Sequence, residues 1–490
     1  MKVGIVLRVL SFICAIVSLF MLPPLLLALL DGKGDAAAFA LSLGVGILLS
    51  LGLFLAGRRW RPGPLGDTLG IREAVGVVGF AWVIASAVGA LPYWQFGAAP
   101  RYVDAFFETM SGFTTTGATV LADVEALPRG ILLWRGLTHW LGGMGIIVLS
   151  LAILPFLGVG GMELYKAEVP GPTPEKLTPR LHQTALLLWG VYLALTLAET
   201  LLLMLGGMSL FEAVVHSFAT IATGGFSTRN ASIAAFRSPY VEWVITAFMF
   251  ASGVNFSLYF LLFARRFRAV LGDEELRWYA AIVAASALAI ALCLLRRGDF
   301  SGVEPALRAS FFHVVSLITT TGFVTENYDL WPEFARFLLL ILMVVGACAG
   351  STGGGCKVVR FLVLRRQVQA ETLRLLHPRA TVTARMNGRA IGPDVMDSAS
   401  AFLVLYLLIM TSATLAITAF GHPKLDVMSA FSGVVACLSN VGPGLGALGP
   451  VENFAWLPAG VKWVLSFCML AGRLELFAVF LLFLPGSWRR

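Results

Sequence analysis

Four short runs of small and polar residues each close on a glycine, at intervals of about 100 residues. The runs are Thr114-Thr115-Thr116-Gly117, Ile221-Ala222-Thr223-Gly224, Thr319-Thr320-Thr321-Gly322 and Ser439-Asn440-Val441-Gly442. Glycine permits backbone conformations that other residues avoid, so such runs can turn their carbonyl oxygens toward a common axis. Rings of carbonyl oxygens replace the hydration shell of a potassium ion in a selectivity filter. A single run would be an ordinary turn, but four in register predict a cation filter of Thr115, Thr116, Gly117, Ala222, Thr223, Gly224, Thr320, Thr321, Gly322, Asn440, Val441 and Gly442.

A second candidate site is the stretch from Gly346 to Gly355, which has no large side chain and lies inside a long apolar segment. Each glycine costs a helix interior roughly 1 kcal/mol relative to alanine, so this stretch predicts a loop within the membrane. Such a loop must be buried in protein or line a water-filled cavity. We therefore expect a gate at Gly346, Gly350, Ser351, Thr352, Gly353, Gly354 and Gly355. The alternative is close helix packing through small residues.

Arg473 is the third candidate and is expected to be the one basic residue deep within a membrane span. Charges at that depth are costly and usually functional. Counted from the glycine runs, Arg473 falls at a depth similar to that of Gly350, so we assign it to the same gate. Glu475 is predicted to be a poor partner for it. An arginine paired with a carboxylate elsewhere in the helix bundle is the alternative.

The composition indicates that a membrane protein must position these residues. The chain is 58% hydrophobic and 13% charged, with a mean hydropathy of +0.83, whereas a soluble domain carries about 25% charged residues. A spanning helix needs about 20 apolar residues. Ten windows qualify: 4–30, 37–57, 73–94, 132–157, 183–206, 240–263, 277–295, 334–364, 399–420 and 460–485.

Four shorter apolar stretches precede the glycine runs, at 103–116, 209–222, 304–320 and 426–439. They are too short to cross a membrane and are typical of re-entrant helices. Ser209 with Glu212, and Ser301 with Glu304, fit the capping box that begins a helix. Pro305 suits a first helical turn.

The recurring unit of span, short helix, loop and span predicts the fold class and its domains. We expect an all-α membrane protein with four pseudo-symmetric repeats, each of the form M1–P–M2, around one pore. Residues 1–60 form an N-terminal transmembrane helix pair. The four repeats occupy 61–160, 161–270, 271–390 and 391–490, and the third contains the glycine-rich intramembrane loop.

Charge and residue usage exclude several other functions. The net charge of +8 follows from basic loops on the cytoplasmic side, and no basic patch interleaved with aromatic residues points to nucleic acid. The bias in Lys and Arg places both termini in the cytoplasm and the four glycine runs on the outer face. The six cysteines fit neither a zinc site nor a disulfide framework. No catalytic constellation stands out, so we expect no enzyme and no organic cofactor.

The sequence resembles the Trk/Ktr/HKT superfamily of potassium transporters, and within it the TrkH type of uptake subunit. The resemblance rests on FFETMSGFTTTGAT (106–119), HWLGGMGIIVLSLAILP (139–155), FATIATGGFST (218–228), ITTTGF (318–323), SNVGPGLG (439–446) and AGRLE (471–475). It covers essentially the whole chain. Asn440-Val441 in the fourth run and Ala222 in the second depart from the family pattern in their side chains only.

The resemblance implies a K⁺-conducting subunit in the bacterial cytoplasmic membrane, gated by the intramembrane loop. It also implies a homodimer and a cytoplasmic nucleotide-binding regulatory ring of the TrkA type, which we expect to dock on segments 160–182, 265–277 and 357–398. Glycine at position 117, where sodium-preferring relatives have serine, favours potassium. A Na⁺- or H⁺-coupled secondary transporter with inverted repeats is the alternative. It would not place all four glycine runs on one face.

Overall fold

The computed structural model describes residues 3–59, 71–145, 181–379 and 383–483. Helices dominate these ranges, which confirms the predicted helical class. In chain order the helices are α1 (Val3–Leu19), α2 (Leu22–Asp31), α3 (Ala36–Arg59), α4 (Ile71–Gly89), α5 (Leu91–Phe96), α6 (Tyr102–Phe113), α7 (Arg129–Gly143), α8 (Leu181–Leu205), α9 (Leu210–Ile221), α10 (Pro239–Ser252), α11 (Phe256–Phe263), α12 (Phe267–Leu271), α13 (Glu274–Arg297), α14 (Val303–Ile318), α15 (Glu333–Val345), α16 (Val358–Leu376), α17 (Pro393–Thr418), α18 (Val427–Leu438), α19 (Ala459–Arg473) and α20 (Phe477–Phe483). A small antiparallel hairpin joins β1 (Arg385–Met386) to β2 (Arg389–Ala390).

Several of these helices are long and apolar enough to cross a membrane, so the protein is a multi-pass membrane protein. Among the described residues there are six such segments, at 3–31, 36–59, 72–96, 185–205, 274–297 and 393–418, and a seventh if the bent pair α10–α11 counts as one span. The sequence windows predicted ten. The difference arises because α7, α10, α15 and α19 are only 13 to 15 residues long. At 1.5 Å per residue such helices fall short of a hydrocarbon core about 30 Å thick.

The helices that follow the glycine runs all stop or bend at a comparable point. The window 240–263 is not one helix, because α10 and α11 meet at 96°. The window 460–485 is divided between α19 and α20, where Glu475 and Leu476 adopt positive φ. The helix α7 ends at Gly143, and the rest of the window 132–157 lies outside the described residues. Only the interruption of 334–364 was predicted, and it is confirmed by the gap between α15 and α16.

The predicted short helices are present as α6, α9, α14 and α18. Ser209 caps α9 by accepting a hydrogen bond from the Glu212 amide at 3.3 Å, as the capping box predicts. The second capping box is wrong, since Gly302 occupies the N-cap of α14 and Ser301 lies outside it. Asp426 caps α18 through the Ser429 amide at 3.0 Å, a cap that was not predicted.

The short helices lie in the interior and the longest helices lie outside. Every residue of α6 from Asp104 to Phe113 is buried. In contrast, only 22% of the most apolar window of α3 and of α17 is buried, and 28% of that of α8. Helices that face lipid expose apolar side chains in this way. The fold therefore shelters the polar ends of the short helices, where the glycine runs begin.

Candidate functional site

Each short helix is followed by a four-residue loop with the same backbone path. We call these loop 1 (Thr114–Gly117), loop 2 (Ala222–Gly225), loop 3 (Thr319–Gly322) and loop 4 (Ser439–Gly442). The second residue of each adopts a left-handed φ, a conformation uncommon for residues other than glycine: Thr115 53°, Thr223 55°, Thr320 62° and Asn440 58°. The fourth residue of each is a glycine with positive φ: Gly117 84°, Gly225 81°, Gly322 76° and Gly442 100°.

This geometry corrects the alignment of the second run. The sequence analysis matched Gly224 with Gly117, but the residue in that position is Gly225. The amide of Gly224 instead donates to the carbonyl five residues earlier, on Ala219, at 2.7 Å. The amide of Thr116 donates to Ser111 in the same way at 2.8 Å. Two adjacent glycines hid the register in the sequence, and the hydrogen bond at the end of α9 reveals it.

The four loops contact one another in a closed cycle. A methyl group on Gly117 would collide with the carbonyl oxygen of Gly224 in loop 2. The other loops make the same contact with the next loop. A methyl group on Gly225 would collide with the carbonyl oxygen of Thr321, one on Gly322 with that of Val441, and one on Gly442 with that of Thr116. One backbone carbonyl from every loop thus lies against the glycine of its neighbour. No side chain fits at these glycines.

Side chains behind the loops differ between the loops. In loop 1 the hydroxyls of Thr114 and Thr116 lie 2.8 Å apart, and Thr319 and Thr321 repeat this pair in loop 3 at 2.8 Å. Loops 2 and 4 lack the pair. Instead, the side-chain amide of Asn440 donates to the Thr116 hydroxyl at 3.0 Å, which connects loop 4 to loop 1.

The glycine-rich stretch forms a loop between α15 and α16, as the sequence predicts, and we call residues 346–357 the intramembrane loop. Gly346, Gly350 and Gly355 adopt positive φ. The amide of Gly354 donates to the Thr320 hydroxyl at 2.6 Å, and the amide of Gly355 donates to the Ser439 carbonyl at 3.0 Å. The loop therefore lies directly against loops 3 and 4.

Two further residues of the intramembrane loop bond to its surroundings. Thr352 donates through its hydroxyl to the carbonyl of Ile221, at the end of α9, at 3.0 Å. Ser351 donates to Cys348 within the loop at 2.6 Å. A methyl group on Gly353 would lie 2.9 Å from the Thr319 carbonyl. Close contact with the ends of the short helices leaves no room for larger side chains, although the stretch is a loop and not the closely packed helix of the alternative.

Arg473 lies at the depth of the intramembrane loop, as its sequence position predicts. One guanidinium nitrogen donates to the Thr352 carbonyl at 2.9 Å and to the Thr115 hydroxyl at 3.1 Å. The other donates to the carbonyls of Gly142 and Gly143, at 2.5 and 3.0 Å. Glu475 pairs with Arg360 of α16 instead. Arg473 thus joins the intramembrane loop, loop 1 and the end of α7.

Other buried cations correct the prediction that Arg473 is alone. Arg135 of α7 is 3% exposed and pairs with the buried Glu108 of α6 at 2.9 Å. Lys462 of α19 is fully buried and pairs with Asp104 of α6 at 2.6 Å. Lys357, at the end of the intramembrane loop, is also buried and donates to the Gly353 carbonyl. Arg135 and Lys462 lay inside predicted spans, so their charge was the available signal.

Metal-ligating side chains do not gather in the described ranges, where no group of three or more His, Cys, Asp or Glu could hold a metal ion. The buried His139 is not part of a metal site within these ranges but contacts the backbone beside loop 1 and loop 2. Its ring lies 2.7 Å from the Gly112 carbonyl, before loop 1, and accepts from the Phe226 amide, after loop 2, at 3.2 Å. The polar groups that converge in this site are mainly backbone carbonyls.

The long apolar helices, the buried short helices and the cycle of loops define a polytopic α-helical membrane protein with a central site lined by backbone. Residues 66–489 match the family model of TrkH, described as a cation transport protein. The chain is 41% identical over 486 residues to the Trk system potassium uptake protein TrkH of Salmonella typhimurium, covering 98% of each chain. It is 38% identical over 493 residues to the TrkH protein of Halomonas elongata, covering both fully.

A solved structure agrees over the whole length. The crystal structure of the potassium transporter TrkH from Vibrio parahaemolyticus superposes with a TM-score of 0.87, at 38% identity and 100% coverage of both chains. The chain belongs to the TrkH family of cation transport proteins. The resemblance drawn from the sequence is confirmed. The family is one of transporters, so the prediction that the chain is not an enzyme is confirmed as well.

Proposed function

We propose that this chain is the potassium-translocating subunit of a bacterial uptake system in the cytoplasmic membrane. The closed cycle of loops 1 to 4 is the observation that carries the proposal, because it brings one carbonyl from each loop to one site. The relatives named above are potassium uptake proteins. Potassium is the transported ion in this proposal, and no organic cofactor takes part.

In this proposal the loops form a selectivity filter and the chain folds as four M1–P–M2 repeats behind an N-terminal helix pair. The filter consists of the predicted residues together with Gly225. Carbonyl oxygens of the third loop residues, such as Thr116 and Val441, replace water around the ion. The short helices end at the loops, and the partial negative charge of their C-termini favours a cation. The contacts of the four glycines support this arrangement because they repeat from loop to loop.

The intramembrane loop and Arg473 form the gate of this pathway. The loop contacts loops 3 and 4 directly, and Arg473 bonds to both the loop and Thr115. A guanidinium remains charged under all physiological conditions. It therefore opposes a cation beneath the filter and also holds Thr352 in place. Both effects favour a closed pathway.

The subunit works as a homodimer with a cytoplasmic nucleotide-binding ring of the TrkA type. Docking involves segments 265–277 and 357–398, and also 160–182, most of which lies outside the described residues. Arg365, Arg366 and Arg374 of α16 offer partly exposed positive charge in the second of these. Neutralising all three should weaken co-purification with the ring. Co-purification at the wild-type level would remove α16 from the docking surface.

Ion flux into proteoliposomes tests the proposal. Purified protein should take up ⁸⁶Rb⁺ down its gradient, and excess K⁺ should compete with that uptake better than Na⁺. The same measurement with and without Na⁺ and H⁺ gradients separates a channel-like pore from the coupled transporter of the alternative. Absence of K⁺-competed uptake from folded protein, or flux that requires a second ion gradient, would refute the channel-like pore.

A further inference from the structure

The first turn of α13 is hydrogen-bonded to the intramembrane loop and to the start of α16. The carboxylate of Glu275 is nearly buried, with 8% exposure. The same carboxylate oxygen, Oε1, accepts hydrogen bonds from the Ala349 amide at 2.7 Å and from the Val359 amide at 3.1 Å. Ala349 lies within the loop and Val359 lies in the first turn of α16, just beyond it. A single carboxylate therefore pins the loop to α13.

Hydrogen bonds to an ionised carboxylate are stronger than neutral ones. The same loop also borders a cavity of about 750 Å³, whose lining among the described residues includes Ala349, Gly350, Glu275, Asn387, Arg389 and Arg473. The loop thus has space beside it into which it can move. Glu275 is placed to prevent that movement.

The hairpin β1–β2 is attached to the same turn of α13. Its connecting residues, Asn387 and Gly388, have φ values of 50° and 75°, which is typical of the tight turn that favours Asn-Gly. The Asn387 side chain accepts from the Glu274 amide at 2.8 Å and donates to the Asp273 carboxylate at 2.9 Å. The Asn387 amide donates to Glu274 at 3.1 Å.

The helix α16 also contacts this turn of α13. Arg366 pairs with Glu274 at 3.3 Å, so the residue before Glu275 contacts both the hairpin and α16. Asp273, Glu274 and Glu275 are consecutive, and Asp273 is the N-cap of α13, accepting from the Leu276 amide at 2.8 Å. Residues fixed in one capped helical turn move together. A displacement of the hairpin must therefore displace the carboxylate that holds the loop.

We propose that Glu275 is the latch of the intramembrane loop and that the hairpin 385–390 controls this latch. The hairpin is exposed at Arg385, Asn387 and Arg389, where a regulatory partner can contact it. Binding at the hairpin would shift the first turn of α13 and thereby strengthen or release the two hydrogen bonds to the loop. The effect on ion flux rests on the proposed function, whereas the effect on loop position does not.

Chemical modification of Cys348 measures the loop position directly. Cys348 lies next to Ala349 and is 1% exposed, so a membrane-impermeant maleimide should react with it slowly. We would use full-length protein with the other five cysteines replaced by serine or alanine, and record the alkylation rate together with ⁸⁶Rb⁺ flux. Glu275→Gln should raise the alkylation rate about fivefold, since a hydrogen bond to an ionised group exceeds a neutral one by about 1 kcal/mol.

A second variant separates the hairpin from the latch. Asn387→Gly keeps the positive φ of the turn but removes the amide that contacts Asp273 and Glu274, so it should raise the alkylation rate by a smaller factor. Asp299→Asn is the matched control, because it neutralises an exposed carboxylate at the opposite end of α13. Its rate should equal that of the parent protein.

Each outcome decides a separate part of the proposal. Parent-like alkylation in folded Glu275→Gln would overturn the latch. Parent-like alkylation in Asn387→Gly, with a rise in Glu275→Gln, would overturn control by the hairpin. A rise in alkylation without a rise in flux would support the latch and refute the gate of the proposed function. If Glu275→Gln fails to fold, Asn387→Gly decides the question, and an unchanged rate there overturns the proposal.

Discussion

Removal of the Arg473 side chain should open the pathway, and the structure allows the size of the effect to be worked out. A cation about 6 Å from the guanidinium is repelled by about 3 kcal/mol at an effective dielectric near 20. That corresponds to about a hundredfold change in cation occupancy. Arg473→Ala also removes the hydrogen bond to the Thr352 carbonyl at 2.9 Å, and bonds to charged donors contribute about 1.5–3 kcal/mol. Both losses favour an open pathway.

The two contributions can be separated with Arg473→Lys. Lysine keeps the positive charge but lacks the planar fork of five donors, so it cannot reach Thr115, Thr352 and the end of α7 together. We expect basal ⁸⁶Rb⁺ uptake into proteoliposomes to rise by one to two orders of magnitude in Arg473→Ala and by less in Arg473→Lys. Selectivity should change little, because only the Thr115 hydroxyl of loop 1 loses a donor.

Deletion of the intramembrane loop is a poorer test than these substitutions. The amides of Gly354 and Gly355 support Thr320 and Ser439, so a deletion would disturb loops 3 and 4 as well as the gate. The gate would be refuted if ⁸⁶Rb⁺ uptake falls or stays level in Arg473→Ala. The variant must have the elution volume and melting temperature of the wild type for this test to count. Close packing would then be the better account of the glycine-rich stretch.

Five other substitutions test the filter, two helix starts and a buried ion pair. Gly117→Ser and Gly322→Ser should weaken discrimination of K⁺ over Na⁺, since each side chain would collide with a neighbouring carbonyl; unchanged reversal potentials in both would refute the filter. Ser209→Ala should lower the unfolding free energy by about 1 kcal/mol through loss of a cap, while Ser301→Ala, which is not the cap of its helix, should leave the melting temperature unchanged. Glu108→Gln leaves its buried arginine partner uncompensated and should cost about 3 kcal/mol or more, so a wild-type melting temperature would show that the pair is not needed.

Much of the architecture could be predicted because the bilayer imposes lengths on apolar segments. The short stretch 209–222 became α9, at Leu210–Ile221, and the glycine-rich stretch broke its helix. Helix ends were harder to place. The bend after Ser252 and the break after Arg473 leave the hydropathy unchanged, so apolar windows run through them without interruption.

The details of the site were less predictable, because they depend on contacts between residues far apart in the chain. Nothing near Gly224 and Gly225 in the sequence indicates which of them meets loop 3. The charge of Lys462 inside a predicted span signalled a buried cation, but its partner Asp104 follows only from the packing of α19 on α6. The Asn387-Gly388 pair was a readable signal for a hairpin, whereas the segment 357–398 was interpreted only as a docking segment for a partner.

The cyclic contact of the loops has a consequence for the synthesis of the protein. Loop 1 is among the first parts of the site to be made, but its neighbour on one side is loop 4. The contact between Thr116 and Asn440 spans 324 positions of the chain. Loop 1 is therefore made before loop 4 exists, so its left-handed Thr115 and its glycine lack that contact until loop 4 has been made. The cycle of loops can close only after loop 4 has been made, and a nascent chain that stops before loop 4 contains three of the four loops.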